Sequence, residues 1–309
     1  MKIAVLSGKG GAGKTLVSVN LAAAAKEATY IDCDVEEPNG HLFFKPGKVH
    51  TEFVYNKIPV VDEQRCAGCR TCVDFCKFNA LAYINGKLKI FEEICHSCGG
   101  CQLFCPEKAL SEKNKAIGKI ETGVSENVQV LTGILNTGEA SGIPIINRLF
   151  EEGAIMENLQ KVTVTTKEDN GENAEEGRKT QNHTIIDCPP GSACSVMESI
   201  EDADYCVLVA EPTLFGSHNL KMVHELVTLF KKPHGVVLNK CVEGDNPSEE
   251  FCVDHNIRIL EKIPYDTELG TLNSNALIAV REQTAYRQLF SSLVQKIVKE
   301  VAYETTTHP

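Results

Sequence analysis

Ser7-Gly8-Lys9-Gly10-Gly11-Ala12-Gly13-Lys14-Thr15 follows directly on the apolar run of residues 2–6 and opens a small-residue helical pattern, Leu16 to Ala25. Ala28–Ile31 then leads into Asp32-Cys33-Asp34. Strand, glycine loop, helix, strand is a βαβ unit, which implies a parallel sheet. Gly8 to Thr15 fit the pattern G-x-x-x-x-G-K-[ST] in the context that gives that pattern meaning. Gly8, Gly10, Gly11, Ala12 and Gly13 form a loop whose backbone N–H groups can turn onto phosphate oxygens at a helix N-terminus. Lys14 reaches the β- and γ-phosphates, and the Thr15 hydroxyl suits Mg²⁺.

Working outward, Thr184–Asp187, Tyr205–Ala210 and Gly235–Leu238 are short apolar runs that end in polar residues, as central strands of one sheet do. Ile143–Glu152 reads as a helix, Val162–Thr166 as a β-branched strand, and residues 167–182 as an exposed polar loop. After Pro38-Asn39 the pattern turns irregular until about Asp62. The expected fold is α/β: a doubly wound, mostly parallel sheet interrupted by one small insert. A net charge of −11 argues against nucleic acid or an anionic membrane as partner. No apolar run reaches the roughly 18 residues of a membrane span, and the apolar run at residues 3–6 is too short for a signal core, so a cytoplasmic location is expected. The C-terminal stretch Leu289–Val298 is amphipathic, and its lack of a basic, aromatic face favours core packing over a membrane surface.

Eight of the 14 cysteines fall between residues 66 and 105, in two runs: Cys66-x2-Cys69-x2-Cys72-x3-Cys76 and Cys95-x2-Cys98-x2-Cys101-x3-Cys105-Pro106. Two copies of the C-x2-C-x2-C-x3-C run are the bacterial ferredoxin spacing, in which the fourth thiolate of each run serves the other cluster. One [4Fe–4S] cluster is therefore assigned to Cys66, Cys69, Cys72 and Cys105, the second to Cys95, Cys98, Cys101 and Cys76. Zinc is the competing reading, disfavoured by the duplication. Cys33, Cys188, Cys206, Cys241 and Cys252 read as small buried hydrophobes. Cys194, after Gly191-Ser192-Ala193, is either packing or a ligand of a third, subunit-bridging cluster.

The second lysine of the loop, Lys9, makes KGGAGKT resemble the deviant Walker A of the MinD/Mrp/nitrogenase-iron-protein class, the SIMIBI P-loop ATPases. The resemblance implies that Lys9 reaches the partner's nucleotide across a dimer interface; a solvated surface lysine is the plainer reading. Asp32 to Asn39 is similar to the class's switch I, which would place Asp34 near Mg²⁺ and the attacking water. Thr184 to Gly191 resembles switch II, with Asp187 holding Mg²⁺ through water and the Gly191 amide sensing the γ-phosphate. Asn239 matches the position that hydrogen-bonds adenine, with a strand-end cap as the alternative, and Pro264 lies in the loop beside the base.

The whole chain looks like a MinD-superfamily ATPase with an inserted 2[4Fe–4S] ferredoxin domain: residues 1–60 and 111–309 form the frame, 61–110 the insert. The catalytic set is then Lys9, Lys14 and Asp34, and the cofactors are ATP, Mg²⁺ and two [4Fe–4S] clusters. The resemblance implies an ATPase that is slow without its partner, acting as a homodimer or as a heterodimer with a paralogue. The function expected is ATP-gated electron transfer to a redox or metallocofactor-maturation partner protein. An iron–sulfur assembly carrier of the Mrp type is the alternative, disfavoured because four thiolates hold each cubane firmly.

Overall fold

A computed structural model describes residues 1–25, 27–168 and 182–307. The chain begins with β1 (Lys2–Leu6), α1 (Lys14–Ala24), β2 (Ala28–Asp32), the short α2 (Gly40–Phe44) and the long β3 (Gly47–Val61). A small unit follows, made of α3 (Thr71–Phe75), the hairpin β4 (Leu81–Ile84) and β5 (Lys87–Ile90), and α4 (Gly100–Leu103). The chain returns through β6 (Leu110–Ser125), β7 (Val128–Leu135), α5 (Ile143–Glu168), β8 (His183–Asp187), α6 (Cys194–Ile200) and β9 (Tyr205–Ala210). It finishes with α7 (Leu214–Leu229), β10 (His234–Cys241), α8 (Pro247–Asp254), β11 (Ile259–Pro264), α9 (Thr267–Ser274), α10 (Ala279–Glu282) and α11 (Thr284–Thr307).

Among the described residues one nine-stranded sheet runs β11-β10-β9-β1-β8-β2-β7-β6-β3. From β11 to β7 every pairing is parallel, whereas β7–β6 and β6–β3 are antiparallel. The central strands are buried on both faces, which is why they read as unbroken apolar runs. One helical layer, α1 with α9, α10 and α11, covers one face; Phe290, Leu293 and Ile297 of α11 are buried there, so the amphipathic C-terminal stretch packs into the core. The other face carries α5 to α8, through Ile145, Leu149, Val196, Val223 and Cys252. This is the doubly wound, mostly parallel α/β fold with a small inserted unit.

Two expectations need correction. Val162–Thr166 is not a strand: α5 continues through it to Glu168. The β-branched residues each cost a few tenths of a kcal/mol in a helix, but extending a helix already formed is far cheaper than nucleating a new element. The segment after Asn39 is not irregular either. It holds α2 and the 15-residue edge strand β3, whose burial alternates from Glu52 to Ile58 although exposed Phe53 and Tyr55 and half-buried Glu52 and Asn56 hide that period in the sequence. Of the loop expected at 167–182, residues 167 and 168 end α5, and 169–181 lie outside the described residues.

The small unit is joined to the sheet by two paired strands. β3 and β6 match from Gly47↔Val124 to Val61↔Leu110, while β6 pairs with β7 only over Gly118–Ser125. The ribbon therefore continues beyond β7, and the register breaks between Val54 and Tyr55, where Ile117 is the extra residue of a β-bulge. Asn136 fastens the bulge: its amide donates to the Ile117 carbonyl (2.9 Å) and its side chain to the Ala116 carbonyl (3.1 Å).

Candidate functional site

The phosphate loop joins the C-terminal end of β1 to α1, at the end of a parallel sheet where such folds place ligands. Two glycines have no substitute. A Cβ on Gly8 would strike the backbone of Asn219 on α7, and Gly13 combines φ +97° with the Asn239 amide against its Cα. The loop borders a cleft lined by Lys9, Gly10, Gly11, Gly13, Lys14 and Thr15 of the loop, and by Asp34, Pro190, Asn239 and Pro264 opposite. Gly8 and Ala12 support the loop from outside the lining.

Three carboxylates and one ammonium meet at its floor. Asp32 and Asp187 are register partners on neighbouring strands. Lys14, 6% exposed, donates to Asp187 Oδ1 at 2.7 Å, and its Nζ lies 3.7 Å from Asp34 Oδ2. Tyr30 donates its hydroxyl to the other Asp187 oxygen at 2.8 Å. Asp32 accepts backbone N–H bonds from Asp34, Asn39 and Gly40, so it shapes the loop that carries Asp34. Burial disfavours the Lys14 ammonium, yet the Asp187 charge and hydrogen bond, with Asp34 and Asp32, outweigh it and raise its pKa. Burial first, and then the Asp187 charge, push the Asp32 carboxyl up to about 7. Burial also raises Asp34, with Lys14 opposing. Three acids against one base leave surplus negative charge beside the half-buried Thr15, a donor set suited to a hard divalent cation completed by phosphate and water. Among the described residues no three His, Cys, Asp or Glu side chains are grouped as ligands of a single ion.

Other candidates are engaged elsewhere. The Gly191 amide donates to the Ser7 carbonyl at 2.9 Å, so sensing a phosphate requires breaking that bond. The Asn239 side-chain amide donates to the Ala12 carbonyl at 2.9 Å and straps β10 to the phosphate loop. Lys9 does not point outward: its Nζ is 2.5 Å from Glu211 Oε2 and 5.0 Å from the Phe215 ring centre. The sequence does not single out Tyr30, Glu211 or Lys240, although Glu211 directly follows β9 much as Asp32 ends β2 and Asp187 ends β8. Asp266, Leu269 and Asn273 of the β11–α9 segment also line the cleft.

In the small unit the cysteines gather in two sets of four. Cys66, Cys69, Cys72 and Cys105 line one pocket. Cys76, Cys95, Cys98 and Cys101 line a second. The duplication extends to the backbone: Gly68 and Ser97, Arg70 and Gly99, and Asn79 and Lys108 hold positive φ at equivalent places in the two runs. The Cys76 and Cys105 sulfurs each accept an amide hydrogen bond from the fourth residue onward, Ala80 at 3.4 Å and Ala109 at 3.3 Å. Four thiols per cavity fit a four-thiolate iron–sulfur cluster. Burial pushes Cys101 up to about 11, so its proton must leave before the sulfur can ligate. The unit's own core is little more than Leu81, Leu88 and Leu110 against Cys72 and Cys101. Of the other cysteines, Cys33, Cys188, Cys206 and Cys252 are buried, Cys241 only half so, and Cys194 is exposed at the start of α6.

A family model for the CobQ/CobB/MinD/ParA nucleotide-binding domain matches residues 3–278. An uncharacterised protein of Methanocaldococcus jannaschii is 28% identical over 301 residues, 96% of each chain. A ferredoxin of Pyrobaculum islandicum is 36% identical over 58 residues, 18% of this chain and 54% of that one. The septum site-determining protein MinD of Pyrococcus horikoshii, solved with Mg-ADP, superposes with a TM-score of 0.53 at 18% identity, covering 96% of this chain and 95% of that one. With the phosphate loop at the end of β1, acids closing β2 and β8, and a family match across nearly the whole frame, this chain belongs to the CobQ/CobB/MinD/ParA family of nucleotide-binding proteins.

Proposed function

We propose that the protein is an ATPase in which nucleotide state gates electron transfer through two [4Fe–4S] clusters to a partner protein. One observation carries this reading: two four-cysteine cavities sit on a unit whose tethers, β3 and β6, are strands of the ATPase sheet itself. β6 pairs with β7, β7 with β2, and β2 with β8, so hydrogen-bonded neighbours connect the cavities to the strands that end in Asp32 and Asp187. Lys14 would exchange Asp187 for the β- and γ-phosphates, and Thr15, Asp34 and Asp187 would then surround Mg²⁺. Freed from Lys14, Asp187 keeps only the Tyr30 hydroxyl, which holds its carboxylate in place for the cation. Lys9 would neutralise charge on a second copy's nucleotide in a sandwich dimer, as the deviant Walker A pattern implies. The clusters supply one-electron transfer.

If the two sites are linked, the effect is reciprocal: nucleotide alters cluster potential, and cluster reduction alters nucleotide affinity, by the same typical 1–3 kcal/mol. The test measures midpoint potentials and chelator accessibility of the clusters in anaerobic protein with ADP and with a non-hydrolysable ATP analogue. A nucleotide-dependent difference supports gating. Identical values with ready cluster transfer to an apo-protein would replace it with the assembly-carrier reading.

A further inference from the structure

Glu211 directly follows β9 and directly precedes Pro212. Its carboxylate is shared by two lysines. Lys9 Nζ sits 2.5 Å from Oε2, and Lys240 Nζ donates to Oε1 at 2.7 Å and to the Gly11 carbonyl at 2.8 Å. Both lysines line the cleft. The Glu211 side chain is only 14% exposed, and the Phe215 ring backs Lys9 at 5.0 Å. Burial alone would raise the Glu211 carboxyl, but the hydrogen bonds and charges of Lys240 and Lys9 hold it below the usual range, so it is an anion at neutral pH. Its mount does not depend on its charge. The Glu211 carbonyl accepts the Ser248 hydroxyl at 2.6 Å and packs against Gly216, so the backbone stays fixed whatever the side chain carries.

We infer that Glu211 is a positioning residue that holds Lys9 away from its own protomer's phosphates and releases it to the γ-phosphate of a second copy's nucleotide. This rests on the sandwich-dimer reading above. The exchange is balanced electrostatically: when Lys9 departs, Lys240 remains on Glu211, so the half-buried carboxylate is never stranded without a cation. A competing carboxylate also sets a threshold. A terminal γ-phosphate, with its greater charge, can draw the ammonium off Glu211, whereas the phosphates of ADP, lying farther from the second copy, cannot. Glu211 thereby makes dimer formation selective for ATP.

The experiment is sedimentation of the cluster-loaded, anaerobic protein with a non-hydrolysable ATP analogue and, separately, with ADP, for the unaltered chain, Glu211→Gln, Lys9→Ala and the double variant. Each protomer of the sandwich gives up one partly exposed pair worth about 1 kcal/mol, or about 2 kcal/mol per dimer, so the protein concentration at half-dimerisation should fall about thirty-fold in Glu211→Gln. ADP should then also support dimers. The double variant should behave as Lys9→Ala alone, because Glu211 acts only through Lys9. If Glu211→Gln does not fold, Glu211→Asp, which keeps a charge for Lys240 but draws it back from Lys9, should show a shift in the same direction. Loss of dimers in Lys9→Ala with an unchanged or raised midpoint in the Glu211 variant overturns the role of Glu211 and leaves the sandwich intact. Normal dimers in Lys9→Ala overturn the sandwich itself.

Discussion

Replacing Lys14 with methionine keeps the length of the buried stem and removes the cation that faces Asp187, Asp34 and Asp32 at the floor of the cleft. Asp187 is 1% exposed and loses its 2.7 Å partner, Asp34 loses a cation 3.7 Å away, and Asp32 is already fully enclosed. Breaking a buried pair from one side costs about 3–5 kcal/mol, because the remaining charge is left uncompensated. That cost should depend on pH, and its sign follows from Asp32. Its folded pKa, about 7, lies above the unfolded carboxylate value, so folding takes up a proton there. The stability this contributes is whole at low pH and is lost as pH rises from about 4 through 7. Without Lys14 the Asp32 carboxyl titrates higher still, so Lys14→Met should keep losing stability above pH 7, where the unaltered protein has levelled off. Urea unfolding of the anaerobic protein, followed by the helical circular dichroism signal, should show a loss near 4 kcal/mol at pH 8.5 and clearly less at pH 5.5. An equal loss at both values, or a loss under about 1 kcal/mol, would refute the charge balance drawn here.

Lys9→Ala should bind ATP nearly as tightly as the unaltered chain but lose about 10³-fold in turnover, since a cation supplied to the transferring phosphoryl contributes on that scale; unchanged hydrolysis in a phosphate-release assay would exclude it. Cys76→Ala should spare the set Cys66, Cys69, Cys72 and Cys105 and damage the cluster on Cys95, Cys98 and Cys101, its cavity neighbours rather than its sequence neighbours. Anaerobic iron analysis and electron paramagnetic resonance of the reduced protein read this directly, and zinc in place of iron would end the cluster assignment.

The parallel core was legible because strands buried on both faces write their apolar character as unbroken runs, and because glycines, Lys14 and Thr15 have one arrangement in which they make chemical sense. The duplicated cysteine runs were legible for a related reason: thiols at fixed spacing are rare in a chain with no other use for them. β3 and β6 were not, since Phe53 and Tyr55 stand on the exposed face of β3 while Glu52 and Asn56 share the covered face with Val54 and Ile58, and the outer half of β6 is polar, which leaves neither an apolar run nor a clean apolar–polar alternation. Val162–Thr166 misled because side-chain preference was weighed there without the helix that reaches it from Ile143. The engagements of Lys9, Tyr30 and Asn239 join residues far apart in the sequence, Tyr30 to Asp187 across 157 positions. Glu211 alone left a trace, an acid directly after an apolar strand, close to the signal that marks Asp32 and Asp187.

The bulge at Ile117 makes the ribbon a lever as well as a tether. Beyond it, seven residue pairs from Tyr55↔Ala116 to Val61↔Leu110 extend without a third strand beside them. At about 3.4 Å per residue that overhang is about 24 Å long. A bend of about 10° at the bulge would then carry the cysteine cavities about 4 Å along an arc while disturbing little of the sheet behind it. The Asn136 clasp on Ala116 and Ile117 lies at the fulcrum, and Lys115 is held to Glu139 just past it, so one short loop after β7 sets the resting angle of the arm.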